Sequence, residues 1–426
     1  MAKTETTATT PAAITSEDVA RASQVLKGVV KKTLLQRNEM LSARYKANIY
    51  LKFENEQPIR SYKLRGAYNL IAGLSEEEKR GGIVAASAGN HSQAVAYSCN
   101  ALKIKATIFM PKTTPPQKVQ STERFGNGYV KVVLEGDDFD SAYASSLDYL
   151  KENGGTYVHP FNDPRIMAGQ GTIAKEVLEQ FPSDENIDYL LVPIGGGGLI
   201  SGVGSYFKAL SPKTNLIGVE PEEAPAMHDS LMEGKLVSLL EFSHFVDGAA
   251  VKQVGENAFA IAKELGYPVE LVPEGRVCTS VIELYRQGIV AELAGALSVA
   301  ALENLQEEIR GKNVVCILSG GNNDFDRLPE IRERSLMHEG LKHYFIIEFP
   351  QRPGALREFL DNALGPDDDI ARFEYTKKTA AETGPALVGI SFKRKEDYLP
   401  FVSRMKEVGF TFEHLNENGM FLKYFL

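Results

Sequence analysis

Short apolar strands alternate with helix-forming segments over most of the chain, and this alternation limits the possible folds more than any other feature. Gly82–Ala86 leads into a helix predicted from about Ser92, and Lys105–Met110 leads into one predicted from about Pro116. The same order recurs at Val130–Leu134, Thr156–Val158, Tyr189–Ile194, Leu216–Val219 and Val314–Leu318. Apolar strands that alternate with long helices are typical of parallel sheets covered by helices on both faces. The sequence therefore predicts an α/β body that extends to about residue 330.

The pattern changes at about residue 336, where the predicted elements become those of a small α+β domain. They are, in order, a strand, a helix, two strands, a helix and a strand, at His343–Phe349, Gly354–Leu364, Ile370–Thr376, Ala386–Phe392, Tyr398–Val408 and Phe410–His414. This βαββαβ order is the ferredoxin-like arrangement. We therefore predict a disordered tail over residues 1–16, the α/β body over 17–335 and a separate domain over 340–426.

Charge and composition argue against several classes of protein. The 426-residue chain has a net charge of −9 and no block of basic residues, so nucleic acid is not an expected partner. It has no apolar run long enough for a membrane span and no signal-peptide core, so the expected location is the cytoplasm. Cys99, Cys278 and Cys316 lie far apart in apolar surroundings, which indicates buried thiols rather than disulfides or a zinc site.

A run of glycines follows one of the predicted strands. Gly195–Gly198 lies between the apolar strand Tyr189–Ile194 and a helix predicted over Leu199–Leu210. A turn without side chains at a helix N-terminus presents several backbone N–H groups and the positive end of the helix dipole to one point, which suits a phosphate. Close packing between strand and helix would also require glycine.

Two further loops follow strands in the same way. Ser87, Ala88, Gly89, Asn90 and His91 could bind a carboxylate through their N–H groups, and the Asn90 amide could donate to a phenolic oxygen. Ordinary turn and N-cap chemistry is the alternative. His91 could be a base, or a histidine that is hydrogen-bonded locally.

The third loop and a single lysine complete the set of candidate residues. Ser319 ends the strand Val314–Leu318, at the position where ligands bind in open α/β sheets, and could pair with a ring nitrogen. A strand-end turn would explain it equally well. Lys63 lies in Ser61-Tyr62-Lys63-Leu64-Arg65-Gly66-Ala67, and a lysine at the start of a helix is usually only solvated.

Taken together, four motifs resemble those of a known enzyme family. They are Ser-Tyr-Lys-Leu-Arg-Gly-Ala, Ser-Ala-Gly-Asn-His, Pro-Ile-Gly-Gly-Gly-Gly-Leu and Leu-Ser-Gly-Gly-Asn-Asn, in this order. In this combination the chain resembles the pyridoxal 5'-phosphate enzymes of the two-subdomain fold type II, or tryptophan synthase β-like fold. Within that fold it looks most like the threonine dehydratases, over about residues 20 to 335.

The resemblance implies a role for each candidate residue. Lys63 would hold the cofactor as a Schiff base and then act as the catalytic base, and Gly195, Gly196, Gly197, Gly198 and Leu199 would bind the cofactor phosphate. Ser319 would meet the pyridine nitrogen and Asn90 the 3'-oxygen. The loop of Ser87, Ala88, Gly89, Asn90 and His91 would bind the substrate carboxylate.

Three positions depart from relatives within this fold. Tyr62 replaces a common phenylalanine. Related serine racemases carry a second serine at the position of Ala88, and alanine has no proton to give to the opposite face of Cα, so elimination is expected. Ala226 occupies the place of an acidic metal ligand. No metal site is therefore expected, and Glu292 is assigned no role.

The resemblance implies a deaminating dehydratase that converts L-threonine to 2-oxobutanoate and ammonia. L-serine remains a possible substrate, and a serine dehydratase, a threonine synthase or a catalytically silent amino-acid sensor remains an alternative. The C-terminal segment around Phe349–Leu356 resembles the ACT-like regulatory domain of biosynthetic threonine dehydratases. This implies feedback inhibition by isoleucine and a homodimer or homotetramer, although packing alone would also explain the Pro353-Gly354 turn.

Overall fold

Helices and strands alternate from the beginning of the described chain, which in this computed structural model comprises residues 13–377, 381–418 and 425. In chain order the elements up to residue 318 are α1 (Ser16–Val25), β1 (Leu35–Arg37), α2 (Glu39–Tyr45), β2 (Asn48–Phe53), α3 (Lys63–Ala72), α4 (Glu76–Arg80), β3 (Ile83–Ala86), α5 (Asn90–Leu102), β4 (Ala106–Met110), α6 (Pro116–Gly126), β5 (Val130–Leu134), α7 (Phe139–Asn153), β6 (Thr156–Tyr157), α8 (Pro164–Gln180), β7 (Tyr189–Pro193), α9 (Gly198–Leu210), β8 (Asn215–Pro221), α10 (Ala226–Glu233), α11 (Glu256–Leu265), β9 (Val269–Val272), α12 (Glu274–Arg286), α13 (Leu293–Ala300) and β10 (Asn313–Leu318).

The C-terminal elements continue the numbering. They are α14 (Leu328–His338), β11 (Lys342–Pro350), α15 (Ala355–Asn362), β12 (Asp369–Tyr375), β13 (Thr383–Ser391), α16 (Tyr398–Val408) and β14 (Thr411–His414). The chain divides into two units. The first contains the described residues up to 274 together with 284–323, and the second contains residues 275–283 together with the described residues from 324 onward. Helix α12 therefore contributes residues to both units.

The first unit contains two sheets, each covered by helices. The larger has the order β1-β2-β10-β7-β8-β9, in which β1 is antiparallel to β2 and all other neighbours are parallel. The smaller has the order β5-β4-β3-β6 and is parallel throughout. Parallel strands of one sheet all end at the same edge, so Ser319 after β10 and Gly195 after β7 emerge near one another.

The second unit contains one antiparallel sheet with the order β12-β13-β11-β14. Its helices α15 and α16 and its strands form the βαββαβ order predicted from the sequence, around a core that includes Phe345, Phe359 and Phe401. The predicted fold class, an α/β body followed by a ferredoxin-like domain, is confirmed.

Some local predictions differ from the structure. Two edge strands, β1 and β9, were not predicted, since each is short and only partly buried. The helix expected from about Ser92 begins at Asn90. The tail predicted over residues 1–16 lies mostly outside the described residues, and Ser16 already belongs to α1, whose N-cap is Thr15. The three cysteines are buried and none of them is in a disulfide bond, as predicted.

Helices α8 and α9 approach each other so closely that glycine is required at their contact. An added Cβ on Gly202 would lie 1.9 Å from the carbonyl oxygen of Met167 and 2.7 Å from the amide nitrogen of Gly171. Backbone atoms cannot move aside as the end of a side chain can. This contact fixes α8 against the helix that follows the glycine loop.

We expect Gly202→Ala to destabilise the first unit by about 1–3 kcal/mol, because the methyl group overpacks this helix contact. The midpoint of urea unfolding should fall accordingly. Gly73→Ala is the matched control, since its Cβ would lie 3.4 Å from the nearest atom, and we expect a change within about 0.5 kcal/mol. Equal midpoints for the two variants would contradict this account of the contact.

Candidate active site

A short backbone pairing brings the candidate lysine to the end of strand β10. Ser61 and Gly320 form an antiparallel bridge, and the N–H of Tyr62 donates to the Ser319 carbonyl at 3.1 Å. Helix α3 begins at the next residue, Lys63. Lys63 and Ser319, which are far apart in sequence, are therefore connected through one backbone hydrogen bond.

A buried ion network holds helix α3 in place. Arg65 donates to both carboxylate oxygens of Glu54, at 2.7 and 2.8 Å, and to both of Glu176, at 2.7 and 3.0 Å. Lys52 donates to Glu176 at 2.7 Å and to the Thr33 carbonyl. The Arg65, Glu54 and Lys52 side chains are fully buried. Two cations and two carboxylates thus join α3 to α8 and to the end of β2.

The Lys63 amine lies between two aromatic rings. Its Nζ donates to the Pro160 carbonyl at 3.0 Å and lies 5.4 Å from the ring centroid of Tyr62 and 6.0 Å from that of Phe161. Burial lowers the pKa of Lys63 to about 8, although the carboxyl of Glu292 opposes the shift. The positive end of α3 also disfavours an ammonium group at this position. An appreciable fraction of the amine is therefore neutral at physiological pH.

The glycine loop forms an open backbone cradle. Within the described chain, the amides of Gly195–Gly198 donate to no carbonyl or side chain, and Gly197, at φ +88°, precedes α9 without a side-chain cap. An added Cβ on Gly196 would lie 2.2 Å from the Phe161 ring, and one on Gly198 would lie 2.7 Å from the Phe161 carbonyl. Leu199 is the second residue of α9, and its side chain is buried in the core. The free amides and the helix N-terminus together suit a phosphate.

The loop after β3 leads directly into helix α5. Gly89 is the N-cap and Asn90 the first residue of the helix, while Ser87 accepts from the Gly89 amide at 3.2 Å. His91 is buried, and its Nε2 donates to the Val158 carbonyl at 2.8 Å. Burial, followed by the charge of Lys63, lowers the pKa of His91 to about 3. His91 is therefore neutral, and its hydrogen-bond partner is a backbone carbonyl 67 positions away in the sequence rather than a group in its own turn.

A buried carboxyl group, to which no sequence motif gave a role, contacts two of the loops that carry candidate residues. Glu292 accepts from the Asn90 side-chain amide at 2.7 Å and from the Asn322 backbone N–H at 3.1 Å. Burial, and after it the negative charge of Asp247, raises the pKa of Glu292 to about 7. Because Asn90 and Glu292 are 202 positions apart, no local pattern could have connected them.

The structure therefore brings most candidate residues together. Ser319 is buried at the end of β10, where its hydroxyl donates to the Ala294 carbonyl at 3.3 Å. Asn90 is linked through Glu292 to Gly320, whose carbonyl accepts from the Glu292 amide at 3.0 Å. Phe161 lies against the glycine loop and near Lys63, although no sequence motif marks it.

Two family profiles match the chain in sequence. Residues 26–320 match the family described as pyridoxal-phosphate dependent enzyme, and residues 333–425 match the C-terminal regulatory domain of threonine dehydratase. The chain is 53% identical over 403 residues to the biosynthetic L-threonine dehydratase IlvA of Halalkalibacterium halodurans, a match that covers 94% of this chain and 97% of that protein.

The chain belongs to the threonine dehydratase family of pyridoxal-phosphate dependent enzymes.

Solved structures agree with this family assignment. The processed form of threonine deaminase isoform 2 from Solanum lycopersicum is 38% identical, with a TM-score of 0.71, and the match covers 76% of this chain and 90% of that one. Maize serine racemase is 28% identical, with a TM-score of 0.69, over 77% of this chain and 99% of that one. The family resemblance seen in the sequence motifs is confirmed.

Pyridoxal phosphate is the cofactor of this family, and the site fits it in two respects. The amides of Gly195–Gly198 provide donors for a phosphate, and Lys63 provides a partly neutral amine for an aldehyde. Among the described residues, no group of three or more His, Cys, Asp or Glu side chains is placed to hold a metal ion. No helix in the described part of the chain is long and apolar enough to cross a membrane.

The lowered pKa predicts how Lys63 reacts with the cofactor aldehyde. Only the neutral amine attacks a carbonyl, so the rate of cofactor attachment should rise about tenfold per pH unit below about pH 8 and level off above it. Borohydride trapping followed by peptide mapping measures this rate. Lys52, buried and paired with Glu176, is the control and should stay unlabelled. A rate that still rises steeply above pH 9 would contradict the prediction.

Proposed function

We propose that this protein is a threonine dehydratase that converts L-threonine to 2-oxobutanoate and ammonia by β-elimination, the first step of isoleucine biosynthesis. The 53% identity to a biosynthetic L-threonine dehydratase over nearly the whole chain carries this proposal. The contacts that join the start of α3 at Lys63 to Ser319, and Asn90 through Glu292 to Gly320, support it.

When bound, pyridoxal phosphate supplies an electron sink for the carbanion that forms at the substrate Cα. The chain would hold it at four points. Lys63 would bind the aldehyde carbon, Gly195–Gly198 and the amide of Leu199 would bind the phosphate, the Ser319 hydroxyl would meet the ring nitrogen, and Asn90 would donate to the 3'-oxygen. A hydroxyl at position 319, in place of a carboxylate, would leave the ring nitrogen largely neutral.

Lys63 is the proposed base. Its pKa near 8 leaves part of the amine neutral, so the Nζ can accept the proton from the substrate Cα. The Pro160 carbonyl, 3.0 Å away, holds the amine in position through a hydrogen bond. His91 is a poor alternative base, because its ring is buried and donates to the Val158 carbonyl.

The loop of Ser87, Ala88, Gly89, Asn90 and His91 would bind the substrate carboxylate through the backbone at the start of α5. Ala88 offers no proton for the opposite face of Cα. This residue favours elimination over racemisation, although the fold is shared with a serine racemase. L-serine, which also carries a β-hydroxyl group, is the second candidate substrate.

The C-terminal unit is the proposed site of feedback inhibition by isoleucine. It matches a regulatory domain of threonine dehydratase. Gly354, at φ +86°, precedes α15 without a side-chain cap, and the apolar side chains of Leu356 and Leu360 on that helix are exposed. Backbone N–H groups beside apolar side chains suit a small aliphatic amino acid. A homodimer or homotetramer and a cytoplasmic location complete the proposal.

Replacing Lys63 by alanine should abolish the reaction. We expect the release of 2-oxobutanoate from threonine to fall about a thousandfold or more, since both the tether and the base are lost. The yellow absorbance of the bound cofactor should also disappear. Lys112→Ala, which removes an exposed lysine, is the control and should keep both signals. Near-normal turnover by Lys63→Ala would rule out this mechanism.

Substitution in the turn before α15 tests the regulatory proposal. Gly354→Ala strains a left-handed position and crowds the exposed N-terminus of α15, so the isoleucine concentration for half-inhibition should rise about tenfold while turnover is kept. Gly409→Ala imposes the same strain at φ +87° after α16 and should leave inhibition unchanged. If both variants are inhibited like the parent protein, isoleucine does not bind at this turn.

A further inference from the structure

Glu292 is fixed in position by the backbone on both of its sides. Its N–H donates to the Gly320 carbonyl at 3.0 Å, and its own carbonyl accepts from the Ala296 amide at 3.0 Å, in the first turn of α13. An added Cβ on Gly320 would lie 2.1 Å from Glu292 Oε1, so this glycine leaves the room that the carboxyl occupies. With 8% of its surface exposed, the residue is closely enclosed.

The hydrogen-bond partners of Asn90 permit only one orientation of its amide. The Ile59 carbonyl can only accept, and it receives the Asn322 Nδ2 at 2.8 Å; the same nitrogen donates to Asn90 Oδ1 at 2.7 Å. At the other end, the Glu292 carboxylate can only accept, and it receives Asn90 Nδ2 at 2.7 Å. Two acceptors that cannot donate thus determine the direction of the whole chain of hydrogen bonds.

In this arrangement one of the two side-chain N–H groups of Asn90 has no acceptor within the described chain. Of the two protons on Nδ2, one goes to Glu292, and within the described chain the other donates to no group. Asn90 begins α5 of the smaller sheet's layer, whereas Glu292 and Asn322 lie beside β10 of the larger sheet. The carboxylate therefore holds a donor from one subdomain in a fixed position against the other.

We propose that Glu292 is a positioning residue for the pyridoxal cofactor, which acts by orienting the Asn90 amide so that its free N–H meets the ring's 3'-oxygen. This inference rests on the proposed function, which places Asn90 at that oxygen. A glutamine in place of Glu292 would present an NH₂ group to one of two N–H donors. One hydrogen bond would be lost, to Asn90 or to Asn322, so the contact that holds the Asn90 amide would be weakened.

The charges around Glu292 come from several elements. Asp247, in the segment before α11, raises the pKa of Glu292. Lys118, on α6, lowers it. The charge of the Glu292 carboxylate raises the pKa of two groups at the start of α3, the Lys63 amine and the Tyr62 phenol. Since the pKa of Glu292 is near 7, the carboxylate becomes protonated as the pH falls through neutrality, and a protonated carboxyl accepts less well from Asn90.

The test is a double-mutant cycle on the affinity for pyridoxal phosphate. The dissociation constant is measured by titrating the resolved full-length protein with the cofactor. We expect Glu292→Gln to raise it about tenfold, roughly the effect of one lost hydrogen bond to a charged group. In an Asn90→Ala background the same substitution should change it by less than about twofold. An unchanged constant in the single variant, or additive effects in the double variant, would overturn the proposal.

A second measurement does not depend on the folding of the Glu292 variant. The cofactor affinity of the parent protein should weaken as the pH falls through about 7, because Glu292 becomes protonated. The Asn90→Ala variant should not show this loss of affinity near pH 7. Identical pH profiles for the two proteins would overturn the proposal. Neither measurement involves threonine, so a parent holoenzyme that releases no 2-oxobutanoate would refute the proposed activity without affecting this test.

Discussion

The buried ion network around Arg65 is the interaction on which the active site depends. Burying charged groups is costly, and a buried pair is tolerated only where the geometry is good and the remaining hydrogen-bonding groups are satisfied. Here Arg65 makes paired contacts with both Glu54 and Glu176, while Lys52 supplies the second positive charge. Removing one partner would leave an uncompensated buried charge, which would lower the free energy of unfolding by about 3–5 kcal/mol. Because Lys63 is only two residues before Arg65, the network also determines where the reactive amine lies.

Much of the fold follows from local sequence patterns. The strand–helix alternation predicted the parallel sheets, because apolar strands between long helices have few other ways to be buried on both faces. The glycine loop was predicted from the backbone donors at a helix N-terminus, and the place of Ser319 from the rule that ligands bind at the carboxyl ends of parallel strands. Short edge strands such as β1 and β9 carry no such signal, since most of their side chains are only partly buried.

The parts of the site that sequence reasoning missed are those made by contacts between distant segments. Glu292 looked like any acidic residue before a helix, and only the fold places it against Asn90. Phe161 looked like an ordinary aromatic residue in a loop, and only the fold places it against Gly196. The members of the ion network around Arg65 are likewise distributed over β2, its following turn and α8. Such pairings depend on the tertiary arrangement of helices and sheets, which no pattern within one segment determines.

The division of helix α12 between the two units has a consequence for synthesis on the ribosome. Residues 275–283 emerge well before the residues from 324 onward that complete their unit. Until then Val277, Cys278 and Val281, which are buried in the finished protein, lack that unit around them. Exposed apolar surface makes a nascent chain prone to aggregation and dependent on chaperones. Residues 275–283 therefore leave the ribosome before most of the unit to which they belong has been made.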